Sequence, residues 1–195
     1  AIGNHTIFTR QAAADTGLTG MDLVRLGLER GATASEAAGV ITALIERHGQ
    51  GGSGYIDLVW PYNNSFVIAD YNDVYLLEAA GRNWALKRGS GSVSTSNRVT
   101  ITIDWESLSP RCQAQAEAMS GPFDFAAAYA DTDAIPEVIS SGRYRTTQAA
   151  LAGNGPVTVR SAMRLMRDHY ESGQHWRRRD DPDDERYYSL CMHAD

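Results

Sequence analysis

The side chains able to do chemistry are sparse and scattered. His5, His48, His169, His175 and His193 never fall at a spacing that sets two of them on one helix face, so no metal site is expected. Cys112 and Cys191 lie far apart and outside any CxxC pattern, which argues against both a zinc knuckle and a disulfide framework. There is no GxSxG elbow, HExxH, P-loop or strand-borne GxGxxG, so serine-hydrolase, zincin, nucleotide and dinucleotide chemistry each lack their usual frame, and no cofactor is expected. Glu78 sits in an apolar strand-like run with Arg82 four residues on, which reads as a buried or half-buried ion pair. Arg177, Arg178 and Arg179 form a short basic run answered at once by Asp180, Asp181, Asp183, Asp184 and Glu185, the pattern of a solvated mixed-charge loop.

The elements that must position these groups are legible from periodicity. Thr33 and Glu36 form a capping box ahead of Ala37, Val40, Ile41, Leu44 and Ile45, which recur at helical spacing up to Gly49. Residues 21–30 make a shorter helix with Met21, Val24 and Leu28 on its apolar face and Gly31 as its stop, so the two form a helical hairpin. The glycine-rich run from Gly49 to Gly54 suits neither helix nor strand and is expected to be a mobile loop or a place where backbones approach closely. Residues 65–69 and 74–79 flank a turn made of Asp70, Tyr71, Asn72 and Asp73 and read as a β-hairpin; residues 84–88 and 99–103 add two further strands. Helices are expected over 112–119, 123–129, 143–151 and 159–170, the last capped by Thr158. Helices, then an antiparallel meander, then helices indicate an α+β fold with helices layered on a sheet.

Composition narrows the partners. With 195 residues, 43% hydrophobic content and 22% charged content, the chain has the make-up of a single globular domain with its own core. A net charge of −6 disfavours a nucleic-acid or anionic-membrane surface. No apolar stretch reaches the ~20 residues of a membrane span and no signal-peptide pattern is present. Widely separated cysteines make a reducing, cytoplasmic setting the default. The chain starts without an initiator Met and closes on Ser189 to Asp195, which reads as the start of an element, so an incomplete middle portion of a larger domain is expected. Exposed sheet edges in such a piece favour association of copies into a homo-oligomer.

Several strings carry a more specific signal: Gly20 to Arg30, Val40 to Gly52, Asn64 to Asp70, Leu77 to Ala85, Ser96-Asn97, and, after a gap, Met166 to His169 and Leu190 to His193. In this order they closely resemble the middle of the secernins and their bacterial dipeptidase relatives, members of the N-terminal-nucleophile hydrolase superfamily. The resemblance implies an αββα sandwich of antiparallel sheets with flanking helices, and a cysteine at the start of the mature chain whose own α-amine serves as general base. Position 1 is Ala, so the nucleophile is expected outside this chain and the chain alone is expected to be inactive.

The same resemblance implies roles for four residues. Asn4 matches an oxyanion-hole position, and Asn97 matches the second asparagine of such sites, where its amide binds the nucleophile's amine or the oxyanion. Arg143 matches an arginine that polarises the site or steers a substrate carboxylate, and reads equally as an exposed arginine at a helix start. Asn64 belongs to the family's Asn-Ser/Thr-Phe string, where a backbone-satisfying role competes with substrate binding. The implied substrate is a short peptide or another amide. A non-catalytic interaction scaffold, or an acyltransferase or bile-salt-like amidase on the same frame, are the alternatives. As turn asparagines are common, Asn4 and Asn97 also have a purely conformational reading.

Overall fold

The computed structural model describes residues 1–134, 137–152, 156–169, 190 and 191, with backbone alone at 137–139 and 141. By contacts along the chain it divides into two compact units, Ala1–Ala134 and Ile135–Asp195. The first unit holds β1 (Ile2–Ile7), α1 (Gly20–Arg30), α2 (Ala34–His48), β2 (Asn63–Ala69), β3 (Val74–Ala80), β4 (Asn83–Arg88), β5 (Ser107–Leu108), α3 (Pro110–Ala118) and α4 (Phe125–Tyr129). The second holds α5 (Glu137–Leu151) and α6 (Val159–Leu165). The architecture is α+β, with a five-stranded antiparallel sheet in the order β1-β2-β3-β4-β5.

Both faces of the sheet are covered. Phe66, Ile68, Tyr75, Leu77, Ala79 and Trp84 alternate along β2, β3 and β4 onto one face, where they meet Leu23, Ile41 and Ile45 of the α1–α2 hairpin. The intervening residues Leu76 and Ala85 face a second cluster with Ile101, Leu108, Cys112 and Phe125. Fully burying one such large apolar side chain stabilises by roughly 1.5–3 kcal/mol, so the two clusters account for why the sheet holds.

The hairpin forms where its caps require. Thr19 and Asp22 make a capping box at the start of α1, and Thr33 and Glu36 make one at the start of α2. The buried stripe of α1, however, is Gly20, Leu23 and Gly27, while Met21 and Leu28 are about half exposed (48% and 54%), which corrects the expected apolar face of Met21, Val24 and Leu28. The reason is close packing: a Cβ on Gly27 would stand 3.0 Å from both Ile2 and Ile41, so the helix approaches β1 and α2 along its glycines. In the Gly49 to Gly54 run the backbone-approach reading holds at Gly51, where a Cβ would come within 2.1 Å of the Ala14 carbonyl oxygen.

Asp70 joins two elements. Its Oδ1 accepts from Asn72 N (2.7 Å) and Asp73 N (2.9 Å), closing the β2–β3 turn, while Oδ2 accepts from Ala34 N (2.7 Å) in the first turn of α2. These N–H donors, that of Ala34 first, hold its carboxyl below the usual carboxylate range. A lowered folded-state pKa contributes stability that is present above the unfolded value and lost as pH falls through the folded one. Asp70→Asn is therefore expected to lower the melting temperature at pH 7 by a few degrees and to flatten the acid side of the stability profile; equal acid limbs in the two proteins would count against this role.

Two further expectations change. Residues 99–103 form no strand: Val99 and Ile101 are buried, but the Thr100 and Ile101 amides bond a side chain instead of a neighbouring strand. The fifth strand is instead the two-residue Ser107–Leu108, paired with Leu86 and Ala85. Helix α6 is capped by Thr158, as the sequence indicates, but ends at Leu165, so His169 lies beyond it and does not sit in its last turn. The Arg177 to Glu185 segment, His175 and His193 lie outside the described residues. Among the described residues no helix is long and apolar enough to cross a membrane.

Candidate functional site

The polar residues gather around β1. Ala1 and Ala69 exchange both backbone bonds, 2.6 and 2.8 Å, so by antiparallel alternation Gly3, His5 and Ile7 turn their backbone groups toward β2. Ile2, Asn4 and Thr6 turn theirs to the outer edge. At that edge the Thr6 carbonyl accepts from Asn97 Nδ2 at 2.8 Å and lies 3.0 Å from His5 Nδ1. Since a carbonyl can only accept, Nδ1 of His5 donates there, and Nε2 lies 2.9 Å from the Thr95 hydroxyl. Ser65 Oγ lies 3.4 Å beyond, on Thr95 Oγ1.

The hairpin face of β1 holds a different set. Asn4 Nδ2 donates to Asn64 Oδ1 (3.0 Å), and Asn64 Nδ2 and backbone N both donate to Gln50 Oε1 (2.9 and 3.0 Å). Gln50 Nε2 in turn donates to the Gly81 carbonyl at 3.0 Å. The N-terminus of α1 lies on this chain of amides, for a Cβ on Gly20 would stand 2.1 Å from both Asn4 Nδ2 and Asn64 Oδ1. Asn64 is fully buried and its side chain bonds the side chains of Asn4 and Gln50; its own backbone N–H is taken by Gln50, so the backbone-satisfying role expected of Asn64 falls to Gln50. One hydrogen of the Asn4 amide is spent on Asn64, and the second is the one it can offer elsewhere.

The structure thus brings Asn4 and Asn64 into contact and sets Asn97 two residues along the same strand from Asn4. Arg143 belongs to α5 in the second unit, where its carbonyl accepts from Thr147 Oγ1 at 3.0 Å. His5 and Thr95 escape the sequence reading: they are 90 positions apart, and only their places beside Asn4 and Asn97 hinted at them.

Glu78 stands behind this group. It pairs with Ser65 across the β2–β3 ladder and is fully buried. Its Oε1 accepts from Thr100 N (2.9 Å) and Thr100 Oγ1 (2.7 Å), and its Oε2 from Thr100 N (2.8 Å) and Ile101 N (2.9 Å). Arg82 is not its partner. That guanidinium instead caps α2, donating to the Glu46 carbonyl at 2.5 Å and the Arg47 carbonyl at 3.2 Å, which overturns the expected ion pair. Burial pushes the Glu78 carboxyl up to about 7, against the opposing pull of the Ile101 and Thr100 donors.

At the end of the sheet near the β3–β4 turn, a cavity of about 590 Å³ is lined by Gln11, His48, Gln50, Arg82, Asn83 and Arg111. Cys112 is buried beside it in the second cluster, its thiol donating to the Tyr129 hydroxyl at 3.4 Å, and burial raises the Tyr129 pKa. Among the described residues no group of three His, Cys, Asp or Glu side chains is arranged to hold a metal ion. No protein-family model matches the chain.

Proposed function

We propose that this chain is part of a cysteine-type dipeptidase or related amidohydrolase of the N-terminal-nucleophile kind, acting on amide bonds of short peptides. The observation that carries the reading is that Asn4 and Asn97, the two asparagines matched to oxyanion-hole positions, meet the same edge strand, Asn97 at the Thr6 carbonyl and Asn4 two residues before it. Of the strings that resemble the dipeptidases, four fall on α1, α2, β2 and the β3–β4 hairpin, and of these elements β2 pairs with that strand and α1 packs on it.

In this reading the sheet is one layer of an αββα sandwich, and the nucleophile and its amine come from a residue outside these 195. Cys112 is a poor substitute, being fully buried on Tyr129 and without an amine of its own. Asn97 and Asn4 supply amide hydrogens to the oxygen of the attacked carbonyl, and Asn64 holds Asn4.

The test uses the native protein. N-terminal sequencing with intact mass should find a free Cys, Ser or Thr, and dipeptide hydrolysis should fall by 10²–10³ in kcat for Asn97→Ala with the fold intact. A blocked or non-nucleophilic first residue, or full activity in Asn97→Ala, sinks the proposal.

One observation favours the scaffold alternative. Ile56 and Val59 are 100% and 76% exposed, next to the stacked pair Tyr55 and Trp60, an apolar patch of the kind that binds other proteins.

A further inference from the structure

The segment 94–101 carries Thr95 and Asn97 to β1, yet no strand ladder holds it. Its anchor is at its C-terminal end, where Thr100 N, Thr100 Oγ1 and Ile101 N all donate to one carboxyl group that is fully buried in β3. Val99 and Ile101 flank the anchor and are themselves buried, so the attachment is both polar and apolar. From Thr100 back to Asn97 the chain is too short to move freely once its end is fixed.

We propose that Glu78 is the positioning residue for this segment, a buried latch that sets where Asn97 and Thr95 meet β1 and that loosens when its carboxyl ionises. The proposal rests on reading Asn97 as a site residue.

The sign follows from burial. A neutral carboxyl fits this site with its proton turned to the Thr100 hydroxyl and its Oε2 accepting from Thr100 N and Ile101 N; an ionised one lacks a contacting cation, because Lys87, the ammonium on the same sheet face, is bonded to Asp104. The other titratable or charged groups on this side are His5 beyond Ser65, Arg98 at the start of the anchored stretch, Glu106 beside β5, and Cys112 with Tyr129 in the second cluster. Opening the segment would admit water to Glu78, so the open form favours the ionised state, and raising pH favours opening. The raised pKa agrees with this direction.

Amide hydrogen exchange on the full chain tests it, followed from pH 5.5 to 8.5 and corrected for intrinsic exchange chemistry. In the wild type, protection of the Thr100 and Ile101 amides should fall at least tenfold across this range, while β2 and β3 amides change less. Glu78→Gln, neutral at every pH, should abolish that slope and keep the segment protected; Glu78→Ala should leave the segment weakly protected throughout. Wild-type protection that does not vary with pH, or a slope that persists in Glu78→Gln, overturns the latch. Should the alanine variant fail to fold, the glutamine comparison still decides. Exchange reads the segment and not hydrolysis, so a latch that behaves as described in a protein whose activity ignores Asn97 would overturn the functional reading alone.

Discussion

Glu78→Ala is expected to lower the unfolding free energy by about 3 kcal/mol at pH 5, because it strands the Thr100 and Ile101 amides and the Thr100 hydroxyl beneath a buried surface. The cost should shrink as pH rises. With a folded-state pKa near 7 against an ordinary 4.5, the wild-type carboxyl contributes stability that is whole below 4.5 and is lost as pH climbs through 7. The wild type thus loses on the order of 3 kcal/mol across that window, and the alanine variant, with nothing to ionise there, does not. Urea melts of both proteins at pH 5 and pH 8 measure the difference directly. A mutational cost that grows with pH would show that the three donors, and not burial, govern this carboxyl.

The second large effect is expected at Gly51. An alanine Cβ there would come 2.1 Å from the Ala14 carbonyl oxygen and 2.7 Å from the Thr16 carbonyl oxygen, both backbone atoms with no flexible end to move aside. The loop from Ala14 to Leu18 is bridged to Gln50 and Gly51, with Gly51 N on the Leu18 carbonyl at 3.1 Å, so it cannot retreat without breaking those bonds. A loss of about 3 kcal/mol or more should follow, read as a drop in the chemical-denaturation midpoint at unchanged slope. Gly39→Ala, where an added Cβ meets nothing within 4 Å inside α2, is the control and should be neutral or slightly stabilising. Similar losses at both positions would mean that the close approach is not what constrains Gly51.

How much of this was legible in the sequence depends on whether a local or a distant partner decides each element. The capping boxes at Thr19 and Thr33 and the Asp70 turn are made by side chains within a few residues, and the last two read directly from the chain. Residues 99–103 carry the β-prone string Val-Thr-Ile-Thr-Ile, yet a carboxylate more than 20 positions away takes their amides, and nothing local announces it. The Glu78–Arg82 pair failed in the same way: alternation along β3 and the turn at Gly81 send one side chain into the core and the other to the end of α2. On α1, Met21 and Leu28 look like the natural core residues, but small residues win because they let the helix come close. Of the candidate site, Asn4, Asn64 and Asn97 were marked by string resemblance, whereas His5 and Thr95 needed the sheet to bring them together.

The β1–β2 pairing is interrupted in sequence by both hairpin helices, while β2, β3 and β4 follow one another with tight turns. Closing the shorter loops costs less chain entropy, so the meander is the part that can assemble early, and β1 docks as the late addition to its edge. The strand that bears Asn4, His5 and Thr6 is paired on one side only, so its detachment breaks a single ladder. Assembly of the site becomes the closing step of folding, and anything that grips β1 from its outer edge would raise the kinetic barrier to unfolding of the whole sheet.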